Sequence, residues 1–141
     1  MWILRANADY MEIQQLYARY NYAFDSSDNK LLATVFTPAG EFVIGETRRK
    51  ALEIVKGPAK PQPQVFHVAT SIMFNASPEG ARGKSYVILV NLLATPPAVT
   101  GGGSYEDVLV KTSQGWRFKQ RAFFSATTPA APAASSQGST R

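Results

Sequence analysis

A chain of 141 residues is long enough to form one domain with a hydrophobic core, and its lack of cysteine excludes disulfides, thiolate nucleophiles and thiolate metal sites. Hydrophobic residues make up 45% of the chain and aromatic residues 11%, which is typical of a soluble globular protein. The net charge of +5 is spread along the chain apart from Arg48-Arg49-Lys50, and no apolar run approaches the roughly 20 residues that span a bilayer. We therefore expect neither nucleic-acid nor membrane binding.

The N-terminal segment predicts an amphipathic helix over residues 8–24. Its apolar residues recur at helical spacing and form one stripe: Ile13, Leu16, Tyr17, Tyr20 and Phe24. Asp9 followed by Glu12 has the spacing of a capping box, with Asp9 as the N-cap. Because residues 1–24 carry Asp9 and Glu12 and lack a continuous apolar core, a secretory signal is not expected, and we predict a cytoplasmic protein.

The next segment predicts short elements separated by turn residues. Asp28 is placed to cap a second helix, whose buried side would hold Leu31, Leu32, Val35 and Phe36 before the sequence from Thr37 to Gly40 ends it. A short strand is predicted at 41–45 and a short helix at 48–56. The three prolines within residues 57–63 indicate a loop.

From residue 64 onward the apolar pattern changes to a period of two. Strands are predicted at 64–75, 84–94, 102–112 and 115–125, with short turns between them. Helices followed by a run of strands indicate an α+β fold with a strongly curved antiparallel sheet wrapped on the first helix. We predict one domain over residues 1–125, followed at 126–141 by a disordered tail rich in proline, alanine and serine.

His67 is the only histidine of the chain and lies within an apolar predicted strand. Strand alternation places His67, Ala69 and Ser71 on one face, which suits the lining of a cavity, whereas Phe66 and Val68 fall on the other face, which suits dense packing. A histidine in this position can act in proton transfer, or it can be a core residue bonded to a backbone carbonyl. The pattern by itself leaves both open.

Asp25 follows the amphipathic helix and is the candidate partner of His67. An imidazole in contact with a carboxylate can move protons near neutral pH. The alternative is an aspartate that stabilises the turn at residues 26–28, although a carboxylate is unfavourable near a helix C-terminus by about 0.3–1 kcal/mol. Helical spacing permits a cavity position for Asp25 without demanding one.

Two features of the last strands have structural interpretations. Asp107 and Arg121 face each other across the predicted turn at residues 113–115 and predict a cross-strand ion pair. The glycines at 101–103 lack the lysine and serine or threonine of a phosphate-binding loop, and relief of crowding explains them better. With one histidine and scattered carboxylates, no metal site is expected.

Several motifs in order resemble those of SnoaL-like proteins in the nuclear transport factor 2-like superfamily, which includes scytalone dehydratase. The resemblance covers residues 8–124, and the residues that carry it are Glu12, Ile13, Leu16, Arg19, Tyr20, Ala23, Asp25 and Asp28, then Phe36-Thr37-Pro38 with Gly40, His67, Gly103, Tyr105, Asp107, Leu109 and Val110, and finally Gly115-Trp116-Arg117-Phe118 with Arg121.

The resemblance implies a cone-shaped, curved antiparallel or mixed sheet around N-terminal helices, with a pocket at the open end, in a homodimer. Two enzyme members, scytalone dehydratase and hexachlorocyclohexane dehydrochlorinase, use an Asp–His dyad that matches Asp25 and His67. The chain departs from both, since it lacks the dehydratase's second histidine and has Tyr20 where the dehydrochlorinase has lysine. The dyad is therefore expected without either named substrate.

These observations lead to a functional hypothesis. We expect a cofactor-free lyase or isomerase that acts on a small hydrophobic cyclic molecule, with His67 as the general base and Asp25 orienting it. Tyr20, Phe24, Asn91 and Tyr105 are the candidate substrate-binding residues. Two alternatives remain: a non-catalytic binding module of the same fold, and a structural or interaction protein in which the cone is filled and His67 is packed.

Overall fold

The computed structural model describes residues 2–54, 58–61 and 63–126, with the backbone alone over residues 2–6. This part of the chain forms a long helix, a short second helix and six strands, with one turn of 3-10 helix between the second and third strands. In chain order the elements are α1 (Trp2–Asp25), α2 (Asn29–Leu32), β1 (Phe36–Ile44), β2 (Thr47–Lys50), the 3-10 turn (Ala51–Glu53), β3 (Val65–Ser77), β4 (Gly80–Asn91), β5 (Ala98–Thr112) and β6 (Gly115–Ser125).

The six strands form one curved, open sheet in the order β2-β1-β6-β5-β4-β3. Strands β1 and β6 pair in parallel and every other neighbouring pair is antiparallel, so the sheet is mixed. The register shifts in four of the five strand pairs, and such irregularities bend a sheet and increase its twist. The predicted α+β class and curved sheet are confirmed.

Helix α1 packs its predicted apolar stripe into the concave side of the sheet. Ile13, Leu16, Tyr17 and Tyr20 are at most 1% exposed, and Phe24 packs against the same core from a partly buried position. The core is completed by residues of the sheet such as Phe36, Leu109 and Phe118. The helical period therefore predicted correctly which face of α1 the sheet covers.

The predicted start of α1 was wrong. The helix begins at Trp2, so Asp9 and Glu12 lie within it and do not form a capping box. Instead, both carboxylates bind Trp116 at the start of β6. Asp9 Oδ1 accepts from the indole nitrogen of Trp116 at 3.0 Å, and Glu12 Oε1 accepts from the backbone nitrogen of Trp116 at 2.7 Å. Sequence spacing cannot distinguish a local cap from such a tertiary contact.

The second helix is shorter than predicted. Asp28 does cap it, because its Oδ1 accepts from the Leu31 backbone nitrogen at 3.0 Å, but α2 ends at Leu32. Phe36 already begins β1, since it pairs with Phe118 of β6 and the Phe118 nitrogen donates to Val35. Residues 37–40, predicted to end a helix, thus belong to a strand, because pairing with β6 outweighs the local turn signal of Pro38 and Gly40.

The predicted helix at 48–56 was also wrong. Residues 47–50 form β2, which makes an antiparallel hairpin with β1, and only Ala51–Glu53 is helical, as a single 3-10 turn. Residues 55–57 lie outside the described residues. The sheet edge at β1 supplies hydrogen bonds that a short isolated helix could not match, since helices of this length are marginal alone.

The four later strands are confirmed, but the faces of β3 are reversed in part. Phe66 and Val68 are 40% and 44% exposed, so the face predicted to be densely packed is open. The register shift between Thr70 and Met73, together with the positive φ of 52° at Ser71, breaks the alternation, and Ile72 and Phe74 pack on the core beyond it. The predicted tail lies outside the described residues apart from Ala126.

Candidate active site

Asp25 is the last residue of α1, and its carboxylate reaches across to β3. The backbone nitrogen of His67 donates to Asp25 Oδ2 at 3.0 Å and to Oδ1 at 3.3 Å, and the ring nitrogen Nδ1 of His67 contacts Oδ1. One carboxylate therefore binds both the main chain and the side chain of His67. These contacts offset the unfavourable position of an anion at a helix C-terminus.

His67 is available for this contact because β3 lies at the edge of the sheet. On its other side, β3 pairs with β4, where His67 lies opposite Leu89. The His67 backbone nitrogen points to the free edge, and Asp25 satisfies it. The two side chains are 15% and 10% exposed, so the pair is largely removed from water but reachable.

The imidazole lines a cavity of about 200 Å³ on the concave side of the sheet. The cavity lies between α1 and the concave side of the sheet and is mostly apolar. Its lining residues are Tyr20, Phe24, Phe42, Ile44, Arg49, Ile54, His67, Leu89, Tyr105 and Phe123. The ring of Phe24 packs edge-on against the imidazole, with 5.1 Å between centroids. An open cavity beside His67 contradicts the filled cone that a purely structural protein would have.

A second hollow, a surface groove of about 540 Å³, adjoins the same pair between α1 and β3. It is lined by Ala18, Asn21, Tyr22, Asp25, Ser26, Pro63, Phe66, His67, Val68 and Ala69. The groove is larger, but the imidazole is on the concave side: His67 is the cross-strand partner of Leu89 and packs on Phe24, and both line the inner cavity. His67 lines both hollows, and its contacts with Phe24 and Leu89 favour the inner cavity as the site beside its ring.

Two tyrosine hydroxyls provide the polar groups at the inner end of the cavity. Tyr20 and Tyr105 are 1% and 2% exposed, and their rings meet edge-on at 5.9 Å. Burial raises the pKa of both hydroxyls, so both remain protonated donors. The Tyr20 hydroxyl lies close enough to that of Tyr105 to affect its pKa, yet it has no hydrogen bond of regular geometry within the described residues.

Beneath these tyrosines lies a closed ionic cluster. Arg121 donates to Asp107 from Nε at 2.8 Å and from Nη2 at 2.9 Å, and the Tyr17 hydroxyl donates to Asp107 Oδ2 at 2.6 Å. Both charged side chains are 0% exposed. The predicted Asp107–Arg121 pair is thus confirmed, and Tyr17 joins it only because Gly83 leaves room, since a Cβ there would collide with the hydroxyl.

The cluster is stable as an ion pair for two reasons. Burial lowers the pKa of Arg121, but the adjacent Asp107 carboxylate more than offsets this and holds the pKa above its usual value. The guanidinium also lies over four aromatic rings, those of Tyr17, Tyr20, Tyr105 and Phe118, at 4.0–4.8 Å. Arg121 and Asp107 therefore belong to the core beneath the cavity.

The predicted site residues are not all brought together. Four of them line the cavity: Tyr20, Phe24, His67 and Tyr105. Asp25 joins the site through its contact with His67. Asn91 lines neither hollow: it ends β4, and its side-chain oxygen accepts from the Leu93 nitrogen at 2.9 Å in a turn. We therefore exclude Asn91 from the candidate site, because its side chain stabilises the turn that follows β4.

Sequence reasoning missed the lining residues from the other edge of the sheet: Phe42, Ile44, Arg49 and Ile54. The strand predicted at 41–45 could have indicated that Phe42 faces the cavity. The helix predicted at 48–56 gave no indication of the position of Arg49.

Among the described residues, no three His, Asp or Glu side chains are grouped so that they could hold a metal ion. Within the same part of the chain, no helix has the length and hydropathy that crossing a bilayer requires.

The sequence matches the model of the SnoaL-like domain over residues 5–122, which is most of the chain. The protein belongs to the SnoaL-like family. This match agrees with the motifs that carried the resemblance. No curated protein matches the chain at a significant level.

Several solved structures are similar in fold to this chain. A nuclear transport factor 2-like protein with a cystatin-like fold from Novosphingobium aromaticivorans has a TM-score of 0.76 at 19% identity, covering 90% of this chain and 88% of that one. LinA has a TM-score of 0.71 at 20% identity and 94% and 99% coverage. A protein provisionally named scytalone dehydratase, also from N. aromaticivorans, has a TM-score of 0.69 at 18% identity and 86% and 87% coverage. At these identities the likeness establishes the fold.

Proposed function

We propose that this SnoaL-like protein is a cofactor-independent lyase or isomerase that removes a proton from a small hydrophobic cyclic substrate. The observation that carries the proposal is the contact of the Asp25 carboxylate with Nδ1 and the backbone nitrogen of His67, beside a mostly apolar cavity. A general base held in this way typically contributes about 10²–10⁴-fold to rate.

The contact determines which ring nitrogen is the base. A carboxylate only accepts hydrogen bonds, so Nδ1 carries the proton that faces Asp25, and Nε2 keeps its lone pair. The additional bond from the His67 backbone nitrogen fixes the carboxylate, which in turn limits rotation of the ring. When Nε2 takes a proton, the imidazolium is stabilised by the adjacent negative charge.

The proposed reaction begins when Nε2 of His67 removes a proton from carbon. The electron pair of the broken C–H bond then forms a double bond and expels a leaving group from the adjacent carbon, or moves onto an adjacent carbonyl oxygen as an enolate. The protonated hydroxyls of Tyr20 and Tyr105 stabilise the oxygen that gains charge. His67 returns its proton to the leaving group in the first case and to another carbon in the second, so the base is regenerated.

A second candidate function is non-catalytic binding of the same class of molecule. The apolar lining of the cavity favours it, because binding alone requires only a fitting apolar cavity with a few polar groups. The two functions differ in one observable: a binding module returns its ligand unchanged, whereas the proposed enzyme exchanges or eliminates a proton of the ligand.

Deuterium incorporation tests the proposal without knowledge of the natural substrate. A panel of small cyclic ketones and β-hydroxyketones is incubated with the protein in D₂O, and exchange at the acidic carbon is followed by NMR. We expect exchange with the unaltered protein and loss of about 10²–10⁴-fold with His67→Ala. Folding of the variant is checked by circular dichroism, and unchanged exchange in folded His67→Ala would reject the proposal.

A matched pair of cavity-filling variants distinguishes the two hollows. Leu89→Trp fills the inner cavity, whereas Ala18→Trp fills the surface groove, and neither residue is proposed to take part in proton transfer. We expect Leu89→Trp to abolish exchange and Ala18→Trp to retain it. The opposite result would move the reaction to the groove between α1 and β3.

We also propose that the protein is a homodimer formed through the outer face of the sheet. This face exposes a run of apolar side chains on neighbouring strands: Val68, Tyr86, Ile88, Val99 and Phe124. Val68 lies opposite Ile88, and Tyr86 and Phe124 are both opposite Ser104, so the face is continuous across β3 to β6. Contiguous exposed apolar surface supports an association site. Sedimentation should report a dimer, and Tyr86→Lys should report a monomer; a monomeric unaltered protein would reject this.

A further inference from the structure

The basic run Arg48-Arg49-Lys50 forms most of β2, and only its middle residue lines the inner cavity. In an antiparallel pair, directly opposite residues project from the same side of the sheet. Arg49 lies opposite Phe42, which is 7% exposed and also lines the cavity. Arg49 is therefore on the concave side, at the rim of the cavity.

The two flanking cations lie on the other side of the sheet. Arg48 is opposite Val43 and Lys50 is opposite Glu41. Arg48 is also paired with a carboxylate, since its Nη1 lies 2.9 Å from Glu41 Oε2. Three consecutive cations of similar sequence context thus differ in what they face: two face the convex surface, and one faces the cavity.

Arg49 has no anionic partner among the residues that the structure describes. No described carboxylate lies within ion-pair distance of its guanidinium, and the residues that line the inner cavity include no Asp or Glu. The carboxylate of the candidate site, Asp25, is already bound to His67. An arginine at the rim of an apolar cavity, with its planar set of donors unused, is suited to bind a carboxylate of a ligand.

The size of the cavity limits the rest of the ligand. A cavity of about 150 Å³ lined by apolar side chains is known to hold benzene. The cavity of about 200 Å³ in this protein therefore fits one ring with a few substituent atoms. The positive net charge of +5 would also favour the approach of an anion.

We infer that the ligand of the inner cavity is a monocyclic organic acid whose carboxylate binds Arg49 while its ring occupies the apolar lining beside His67. Arg49 is then the residue that determines specificity for anionic over neutral rings. The inference rests on the proposed function in one respect, namely that the inner cavity is the substrate site. It adds the charge and size of the substrate.

A binding experiment tests the inference independently of turnover. The probes are benzoate, cyclohexanecarboxylate and their neutral amides, which have nearly the same shape. Because His67 is the only histidine, its imidazole resonances in NMR titrations report binding beside the cavity without overlap. We expect both carboxylates to bind the unaltered protein at millimolar concentration or below, and at least about tenfold more tightly than the amides.

Two variants with the same change of charge serve as test and control. Arg49→Gln should weaken carboxylate binding by about tenfold or more and leave amide binding unchanged, whereas Arg48→Gln on the opposite side of β2 should leave both unchanged. Equal effects of the two variants, equal binding of acids and amides, or no carboxylate binding at millimolar concentration would each overturn the inference.

The outcome is separable from that of the proposed function. If carboxylates bind through Arg49 but no ring compound exchanges a proton in D₂O, catalysis is rejected and the ligand class stands. If ring ketones exchange through His67 but acids have no advantage that depends on Arg49, the ligand class is rejected and catalysis stands. His67→Ala should retain the preference for carboxylates in either case, as followed by calorimetry.

Discussion

The molecule contains two partly or fully buried aspartates that each contact a nitrogen-bearing side chain near the core, and the two pairs differ in what surrounds them. Asp107 and Arg121 are 0% exposed, and the carboxylate is saturated by two bonds from the guanidinium and one from Tyr17. Asp25 and His67 are 10% and 15% exposed and adjoin a cavity. In the first pair, the two charged groups are bonded to each other inside the core. In the second pair, Nε2 of His67 has no protein partner among the described residues.

The comparison separates the structural ion pair of Asp107 and Arg121 from the candidate reactive pair of Asp25 and His67. Both pairs join elements distant in sequence, and both involve an aspartate, so residue type does not distinguish them. The difference is access: the closed cluster excludes ligands and water, while the cavity brings a ligand to the free nitrogen of His67. A substitution in each pair should therefore affect different properties, stability in one and activity in the other.

The largest expected effect on folding comes from Asp107→Asn. It leaves the guanidinium of Arg121 buried without a counter-charge, and breaking a buried pair in this way costs about 3–5 kcal/mol. We expect a loss of that size in the free energy of unfolding, measured by urea denaturation at neutral pH. A loss below about 1 kcal/mol, as for an exposed pair, would contradict the structural role of the cluster.

Asp25→Asn should have the opposite profile. The asparagine oxygen can still accept from the His67 backbone nitrogen, so we expect a change of only about 1 kcal/mol in the free energy of unfolding. Its amide group, however, would donate to Nδ1 and place the ring proton on Nε2, where the base is needed.

Exchange of ketone protons in D₂O should therefore fall by about 10²–10⁴-fold in folded Asp25→Asn. Asp107→Asn provides the comparison. Its exchange rate is measured without urea, at a temperature at which this variant remains folded. If Asp25→Asn retained full exchange while its stability fell as far as that of Asp107→Asn, the assignments of the two pairs would be reversed.

A smaller difference is expected between Tyr17→Phe and Tyr20→Phe. The first removes a hydroxyl that donates to Asp107 at 2.6 Å, and we expect a loss of about 1–3 kcal/mol in the free energy of unfolding. The second removes a hydroxyl without a regular partner, so stability should be unchanged or slightly higher.

The kinetic effects of the two tyrosine variants should be inverted. Tyr20 lines the cavity and is proposed to donate to the developing oxyanion, so Tyr20→Phe should lower kcat, whereas Tyr17→Phe should leave kcat nearly unchanged. Unfolding by urea and steady-state kinetics on the same samples check both expectations. A kcat loss confined to Tyr17→Phe would remove Tyr20 from the proposed site.

The smallest expected effect concerns Asp9, at the end of the sheet away from the cavity. Hydrogen bonds from Lys111 and Trp116 lower the pKa of this carboxyl below its usual value of 3.8. Because the folded-state pKa is lower than the unfolded one, the stabilisation is present above pH 3.8 and is lost as the pH falls through the folded-state pKa.

Asp9→Asn should therefore be less stable than the unaltered protein at pH 7 by less than about 1 kcal/mol, since solvent screens the pair. The difference should disappear when thermal unfolding is repeated at acidic pH below the folded-state pKa. A difference that persisted there would show that Asp9 acts through packing alone.

Much of the fold could be predicted where one local period extends over many residues. The apolar stripe of α1 and the alternation of β3 to β6 produced elements of the correct type, since a buried face requires that period. The strand predicted at 41–45 is part of β1. The prediction failed at residues 36–40 and 47–54, where short segments depend on their neighbours: Phe36 joins a strand because Phe118 is beside it, and β2 forms because β1 has a free edge.

The sequence by itself determined the fold class, the core face of α1 and the candidate pair Asp25 and His67, because these depend on local periodicity and on rare residues in ordered motifs. Only the tertiary structure decided that Asp25 contacts the backbone nitrogen and Nδ1 of His67, that the Asn91 side chain bonds the following turn, and that Arg49 lines the cavity. Those outcomes depend on strand order, register and bulges, which arise from pairing between distant segments and are not encoded in any short window of sequence.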